Sequence, residues 1–156
     1  MAKSKKAYKY RIVEVKKLNH FENDPDELNV SQARLKQPVQ FDITTTMEIN
    51  PDKELIGIKA NAVFYINDNN ERKELFGLTC AYKFQILDFV KNFVKNKEVL
   101  IPSDILTLCL SFQISGMRGM FAALNTRPEY TQIILPPLDP SEIVQQQLSS
   151  FKKKSD

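Results

Sequence analysis

The residues of this chain that could do chemistry are few and lie far apart in the sequence. The single histidine, His20, falls at the end of a predicted strand, where a surface position is the simplest interpretation. The two cysteines, Cys80 and Cys109, fall inside apolar segments and are typical of small core residues. Catalysis needs a nucleophile beside a base, or ligands that converge on a metal. The sequence therefore predicts no catalytic residues, no metal site and no enzyme.

Other polar residues do not change this prediction. Asp24, Asp26 and Glu27 form an acidic cluster that lacks the spacing of a calcium loop, so we interpret it as a solvated loop. Ser115 and Ser141 have no G-x-S-x-G context. The chain has only 4 glycines, which nearly excludes Gly-rich phosphate loops, and we expect no cofactor.

The composition is typical of a single globular domain. Hydrophobic residues make up 42% and charged residues 26% of 156 residues, which argues against wholesale disorder. No apolar run approaches the roughly 18 residues that span a membrane, so we expect no membrane insertion. The basic start of the chain is not followed by the apolar stretch of a secretory signal. Two cysteines are too few for a disulfide framework, and a reducing cytoplasm is the expected location.

Charge is unevenly distributed along the chain. The formal net charge is +3, but residues 1–17 carry seven Lys and Arg against one Glu, and the tail 152–156 carries three Lys against one Asp. The body between them is therefore mildly acidic. We divide the chain into a basic arm (1–7), a domain (8–151) and a basic tail (152–156). The basic ends either attract nucleic acid or anionic lipid, or serve as solubilising termini.

Alternating apolar and polar residues predict four strands in the first half, over residues 8–21, 39–49, 55–66 and 73–86. In the first of them, Val13 and Val15 shift the phase, which predicts either a β-bulge or a strand that uses both of its faces. Turns rich in Asn and Asp join the later strands, as in an antiparallel meander. Residues 23–38 are mostly polar and form a crossover loop long enough to pass a sheet edge.

Helical periodicity follows in the second half. Residues 88–94 predict a short helical piece, and Pro102 opens a longer helix that runs to about Leu124. The apolar residues of this long helix cover more than one stripe, so it must be buried on several sides. One sheet covers only one side, which predicts a homo-oligomer. After an extended segment (130–135), Asp139 caps a last helix that runs to about residue 152.

Several short motifs occur in an order that resembles a known family. Gly116, Met117, Arg118 and Gly119 end the long helix, and the extended segment ends at Pro136. Pro-Leu-Asp-Pro (residues 137–140) then precedes a Gln-rich helix. In the first half, Phe21 and Glu22 end the first strand, and residues 39–43 open the second. Together these features resemble the SecB export-chaperone family over about residues 8–151.

The resemblance implies an α+β fold: a four-stranded antiparallel sheet with a long helix packed on one face and a shorter C-terminal helix. It implies a dimer of dimers with the long helices between two layers of sheet. We assign the subunit contacts to residues on the first strand and the long helix: Tyr10, Ile12, Leu108, Phe112, Met117 and Met120.

The resemblance also implies an ATP-independent holdase that binds unfolded polypeptides, such as preproteins for export, in exposed apolar grooves. The matching positions lie in the crossover loop, the second strand and the last helix: Leu28, Val30, Leu35, Val39, Phe41, Ile43, Ile143, Leu148 and Phe151. Leu28 and Val30 are favoured because they sit in a polar loop. The export family contacts the translocase motor through an acidic sheet surface, whereas this chain has basic ends.

Two other functions stay open at this point. The chain is also compatible with a solitary SecB-like chaperone or interaction module dedicated to one client, such as an antitoxin. A nucleic-acid-binding module that uses the basic arm is a third interpretation, and it predicts an affinity that falls steeply with salt.

Overall fold

The computed structural model describes residues 7–153, with side chains for residues 7–148. Most of the basic arm, the end of the tail and the side chain of Phe151 therefore lie outside the described residues. The four long strands are β1 (Tyr10–Glu22), β2 (Gln40–Asn50), β3 (Leu55–Asp68) and β4 (Glu71–Ile86). The helices are α1 (Gln32–Leu35), α2 (Phe89–Phe93), α3 (Ser103–Leu124) and α4 (Pro140–Lys153). A small hairpin, β5 (Val94–Lys95) and β6 (Glu98–Val99), separates α2 from α3.

The long strands form one antiparallel sheet in the order β1-β4-β3-β2. Strands β2 to β4 are the predicted meander, and the crossover loop carries the chain from one edge of the sheet to the other. The register of β1 against β4 shifts between Ile12 and Glu14, which confirms the predicted bulge, and shifts again between Lys17 and Asn19. The α+β class and the four-stranded antiparallel sheet are confirmed.

The core lies between one face of the sheet and α3. Alternate residues of β3, from Ile56 to Ile66, point to this face and are buried. The rings of Phe64 and Phe76 stack at 4.5 Å, and Phe121 of α3 meets Phe64 edge-on at 5.4 Å. Aromatic pairs of this kind stabilise the fold by more than the burial of their apolar surface alone. They fix α3 against the centre of the sheet.

One polar side chain also joins α3 to the sheet. Gln113 is fully buried, and its Nε2 donates to the carbonyls of Ile58 (3.0 Å) and Cys80 (3.2 Å). Eight side chains of α3, Gln113 among them, are buried. By length and composition α3 could also cross a membrane, but such burial is typical of a core helix in a folded domain. Its opposite face is open to solvent at Leu108 and Phe112.

The other face of the sheet carries polar side chains. Lys16, Lys59 and Lys83 are exposed there, with Thr44 and Thr46 at the β2 edge. Lys83 pairs with Glu14 at 3.1 Å. This face is therefore mixed in charge and is not the acidic surface that the family resemblance implies.

One sequence prediction about the second half was wrong in part. Residues 130–135 were predicted to be extended throughout, but the segment begins with a turn, in which the N–H of Ile133 donates to the carbonyl of Tyr130 (3.0 Å). The buried ring of Tyr130, packed 4.9 Å from Phe76, draws this segment towards the core instead of along the sheet.

Candidate functional site

An open groove lies where the crossover loop meets the start of β2. We call it the crossover groove; its volume is about 600 Å³. One wall is α1 and the start of β2, and the other is the segment that follows α3, residues 128–136. Its apolar lining comes from both walls and, at Phe64, from β3: Leu35, Val39, Phe41, Phe64, Ile133 and Ile134. Polar side chains line it as well: Gln32, Lys36, Gln37, Glu129 and Gln132. Ile134 is 72% exposed, an unusual position for a large aliphatic side chain.

The first wall is set by local turns of the crossover loop. Asn29 adopts a positive φ of 54°, which asparagine tolerates, and the N–H of Val30 donates to Pro25 O at 2.8 Å. Ser31 caps α1 by accepting from the N–H of Arg34 at 3.2 Å. Together these contacts turn Leu35 towards the groove.

The second wall is fastened to the end of β1. The carboxylate of Glu22 accepts hydrogen bonds from the N–H groups of Thr126 (2.8 Å) and Arg127 (3.2 Å) and from the Thr126 hydroxyl (2.8 Å). Burial raises the pKa of Glu22, but these hydrogen bonds outweigh it and hold the pKa below its usual value. The hydroxyl of Tyr130 donates to Asn23 O at 2.6 Å.

Arg118 completes this wall from α3. Its guanidinium donates to the carbonyls of Leu135 (3.0 Å) and Pro136 (2.8 Å), so an irregular segment has its backbone groups satisfied by a side chain. Sequence reasoning had noted Arg118 only as part of a motif and had missed the roles of Glu22 and Tyr130. No local pattern could have found them, because the carboxylate at the end of β1 and its hydrogen-bond donors lie about a hundred residues apart in the sequence.

The predicted peptide-binding residues fall into distinct environments. Leu35, Val39 and Phe41 are half-buried and line the crossover groove, and their role in binding a peptide stays a prediction. Leu28, Ile43 and Ile143 are half-buried and pack against the core without lining that groove. Their roles in binding stay predictions.

Val30 requires a correction. It was favoured as an exposed residue of a polar loop, but it is only 4% exposed and belongs to the core. The loop is polar because most of its side chains face water, and Val30 is the apolar residue that anchors it to the domain. Val30 is therefore not accessible to a bound chain.

A second groove lies beside α4. We call it the α4 groove; its volume is about 310 Å³. Its lining is almost wholly apolar: Met47, Ile49, Val99, Leu100, Ile101, Leu106, Val144, Gln147 and Leu148. Leu148, one of the predicted binding residues, is 36% exposed there.

Strand β2 runs from one groove to the other. Its inward-facing residues alternate from Phe41 in the crossover groove to Met47 and Ile49 in the α4 groove. Between the two grooves α4 touches β2, because Nε2 of Gln147 donates to Thr45 O at 2.6 Å and also contacts the Thr45 hydroxyl. The two grooves are thus two ends of one apolar strip that α4 crosses.

The residues considered for chemistry are held in structural contacts. His20 is half-buried, and its Nε2 lies 3.0 Å from Oδ1 of Asn125. The prediction of a free surface position was therefore wrong. Burial raises the pKa of Cys109 to about 12 and also raises that of Cys80, which keeps both thiols protonated at neutral pH. Asp24 of the acidic cluster pairs with Arg127 at 3.2 Å. Within the described part of the chain, no three His, Cys, Asp or Glu side chains are grouped to hold a metal ion.

Four of the six predicted subunit contacts are exposed, and the two methionines are not. Tyr10 and Ile12 are each 41% exposed, and the ring of Tyr10 lies 5.9 Å from that of Phe112 on α3. Leu108 is exposed nearby, and Met120 is half-buried. Met117 is fully buried within one chain, because it faces the sheet, so its assignment to a subunit surface was wrong.

Comparison with known proteins gives only distant similarities. No protein-family model matches the chain, and no curated protein matches it. Among solved structures, a SecB-like chaperone of Mycobacterium tuberculosis, Rv1957, in complex with a peptide from the HigA1 antitoxin, has a TM-score of 0.46 at 12% identity, over 83% of this chain and 87% of that one. A Streptococcus agalactiae protein of unknown function has a TM-score of 0.30 at 11% identity, over 85% and 100%. Neither similarity is high enough to define a family.

Proposed function

We propose that this protein is an ATP-independent holdase that binds extended apolar segments of unfolded polypeptides in the crossover groove. The observation that carries the proposal is the groove itself, in which apolar side chains of both walls, among them Leu35 and Ile134, stay open to solvent between polar ones although the domain has a complete core. A binder of many sequences needs exposed apolar surface and little hydrogen-bond selectivity. The order of the SecB-like motifs in the sequence agrees with this function.

The edge of β2 offers main-chain groups to such a client. Thr45 O accepts from the α4 side chain Gln147, so the backbone of Thr45 points away from β3. In an antiparallel pair, alternate residues point their N–H and C=O groups the same way. Phe41 and Ile43 therefore also point theirs outwards, next to the crossover groove. A client in extended conformation can hydrogen-bond to this edge whatever its sequence.

The apolar strip along β2 sets the length of a bound segment. Phe41 and Ile49 are eight residues apart, which corresponds to about 27 Å along a strand. A client that reaches both grooves must contribute on the order of eight to ten extended residues. Many weak contacts along such a length add up, which favours long unfolded chains over short loops of folded proteins.

Suppression of aggregation without ATP is the direct test. The full chain, added to a chemically denatured client on dilution, should slow the growth of light scattering. Ile134→Ser and Leu35→Ser should weaken both this effect and the binding of an apolar peptide by about fivefold or more, because each removes apolar area from the groove. Val90→Ser is the matched control, since Val90 is 49% exposed and lies outside the groove.

Two results would overturn the proposal. The first is a wild-type chain that slows the aggregation of no unfolded client. The second is groove variants that act as well as the wild type while Val90→Ser does not. Fluorescence anisotropy with a labelled apolar peptide measures binding directly. It therefore distinguishes a variant that no longer binds in the groove from one that is merely less soluble.

We further propose that the protein assembles through the exposed patch of Tyr10, Ile12, Leu108 and Phe112. Strand β1 is an edge of the sheet, and a long edge strand with exposed apolar side chains is prone to pair with another chain. A second copy of the chain would cover both the patch and the edge. A dimer of dimers is one assembly that this surface allows.

The clients are proposed to be cytoplasmic chains, either several preproteins or one dedicated partner such as an antitoxin. The proposal does not include docking of the translocase motor on the open face of the sheet, because the lysines there give it no acidic character. Affinity purification from the native host distinguishes the two kinds of client. One partner in constant ratio indicates a dedicated chaperone, and a mixture of preproteins indicates an export role.

A further inference from the structure

Helix α4 crosses the apolar strip at the point where the crossover groove and the α4 groove would otherwise meet. Its contact with β2 at this point is polar, because Nε2 of Gln147 donates to Thr45 O at 2.6 Å and also contacts the Thr45 hydroxyl. On either side the same strand lines a groove with apolar side chains, Phe41 in one groove and Met47 and Ile49 in the other. The crossing by α4 therefore divides the strip in two.

The carbonyl that Gln147 contacts is one that a client would use. Thr45 O points away from β3, along the open edge of β2 where an extended client pairs under the proposed function. An added strand lies about 4.8 Å from its neighbour and donates main-chain N–H groups to carbonyls of this kind. The side-chain amide of Gln147 makes the same type of bond from the same side. Helix α4 and a client paired along the whole strip therefore compete for one place.

The described part of α4 is held weakly enough to be displaced. Of its described side chains only Val144 is buried, Ile143 is half-buried, and Leu148 is 36% exposed. The helix packs chiefly against α3 and reaches β2 through the long side chain of Gln147. When a client donates to Thr45 O instead, one hydrogen bond replaces another at little net cost. The packing of Val144 is then the main contact that α4 gives up.

The segment before α4 is fixed, which gives the helix a pivot. Arg118 donates to the carbonyls of Leu135 and Pro136, and Leu138 packs against the core. Asp139 then caps the first turn of the helix. Movement of α4 about this point leaves the wall of the crossover groove in place.

We propose that α4 is a displaceable strap, which lies on β2 in the free protein and leaves Thr45 when a client longer than the crossover groove binds. This inference rests on the proposed function and adds a selection for client length to it. A short segment fills the crossover groove and leaves the strap closed. A segment that continues along β2 donates its own N–H to Thr45 O, displaces Gln147 and reaches the α4 groove. Because the contacts of the closed strap must be replaced, only a long client opens it.

Two fluorescent peptides that share one apolar core test the strap on the full chain. The first has five residues, which span about 17 Å and are too few to reach both grooves, and the second has fourteen. Gln147→Ala should raise the affinity for the long peptide by about fivefold, the contribution of one hydrogen bond, and leave that for the short peptide unchanged. Gln145→Ala is the matched control, because Gln145 is exposed on the same helix and lines neither groove.

A second variant and hydrogen exchange give independent measurements. Asp139 lines neither groove, so Asp139→Ala loosens α4 without changing the binding surface and should also raise the affinity for the long peptide. In the wild type, saturation with the long peptide should speed exchange of the α4 amides, and the short peptide should not alter it. A helix that served only as a wall of the groove would instead be protected by the bound peptide.

The outcomes distinguish failure of the strap from failure of the proposed function. If neither peptide binds, the holdase proposal is wrong and the strap proposal is wrong with it. If the short peptide binds but Gln147→Ala has the wild-type affinity for the long one, the strap alone is wrong. Equal gains in Gln145→Ala and Gln147→Ala, or slower exchange of the α4 amides in the long-peptide complex, would also overturn the strap.

Discussion

Gly116 is a residue of α3 that packs tightly against a side chain of the sheet. A Cβ built there would overlap the hydroxyl of Tyr82, whereas a Cβ on Gly119, one turn later, would meet nothing within 4 Å. Both glycines belong to the motif noted in the sequence, but only Gly116 is required by packing. The motif alone does not distinguish them, because the partner, Tyr82, lies on β4.

This contrast gives a paired prediction. Gly116→Ala should lower the free energy of unfolding by about 2 kcal/mol, because the buried ring of Tyr82 or α3 itself must shift to make room for the methyl group. Gly119→Ala should raise it by about 0.5–1 kcal/mol, because alanine is the better helix former. Urea denaturation followed by circular dichroism measures both. Equal effects of the two substitutions would contradict the close approach.

The buried thiol of Cys109 and the buried phenol of Tyr130 predict how the stability of the fold changes at alkaline pH. Burial raises the pKa of Cys109 to about 12 from 9.0 and that of Tyr130 to about 12 from 10.0. Above pH 9 the unfolded chain therefore loses protons that the folded chain keeps, and stability must fall as pH rises towards 12. Equilibrium unfolding across this range should show the fall.

Tyr130→Phe is the control for this prediction. It removes the phenol and should make the alkaline fall shallower. It also removes the hydrogen bond to Asn23 O, so the free energy of unfolding at neutral pH should drop by about 1 kcal/mol. An unchanged alkaline slope in this variant would mean that other groups govern the response.

At the scale of elements, α4 is held much more loosely than α3. Among its described side chains only Val144 is buried, whereas α3 buries eight. The cap of α4 is a single side chain: Asp139 accepts from the N–H of Ser141 at 2.9 Å. Local opening follows such differences in buried contacts.

Hydrogen exchange should reveal this difference. Amides of α4 should exchange faster than those of α3 under native conditions, because few apolar contacts oppose their opening. Asp139→Ala should lower the local stability of α4 by about 1 kcal/mol, so the amides of α4 should exchange still faster. Exchange of the α3 amides should not change. Equal protection of the two helices would show that α4 is packed as firmly as the core helix.

Most elements could be predicted from the sequence, because their causes are local. The alternation from Ile56 to Ile66 and the bulge at Val13 are properties of neighbouring residues. The wall at residues 128–136 could not be predicted, because its shape comes from Glu22 and Arg118, which are distant in the chain. Val30 and Met117 were misplaced for a related reason: polarity and periodicity say which residues are apolar, and only packing decides which of them face the core.

At the scale of the whole molecule, the exposed patch predicts the oligomeric state. The chain mass is 18.0 kDa, and light scattering should give a multiple of it. Phe112→Asp should shift the assembly to a smaller species, because Phe112 lies at the centre of the patch beside Tyr10. Val90→Asp, an equal change on another surface, should leave the mass unaltered. A wild-type mass of one chain at every concentration would contradict the assembly.

The placement of β1 has a consequence for synthesis on the ribosome. This strand is made first, but its sheet neighbour is β4, and its end is fastened to Thr126, 104 residues later. A nascent chain cannot form these pairings until most of the protein has left the exit tunnel. Contacts so distant in sequence also slow folding in general. During translation β1 is therefore an unpaired segment with exposed apolar side chains, and we expect the newborn chain to need protection by the cell's chaperones.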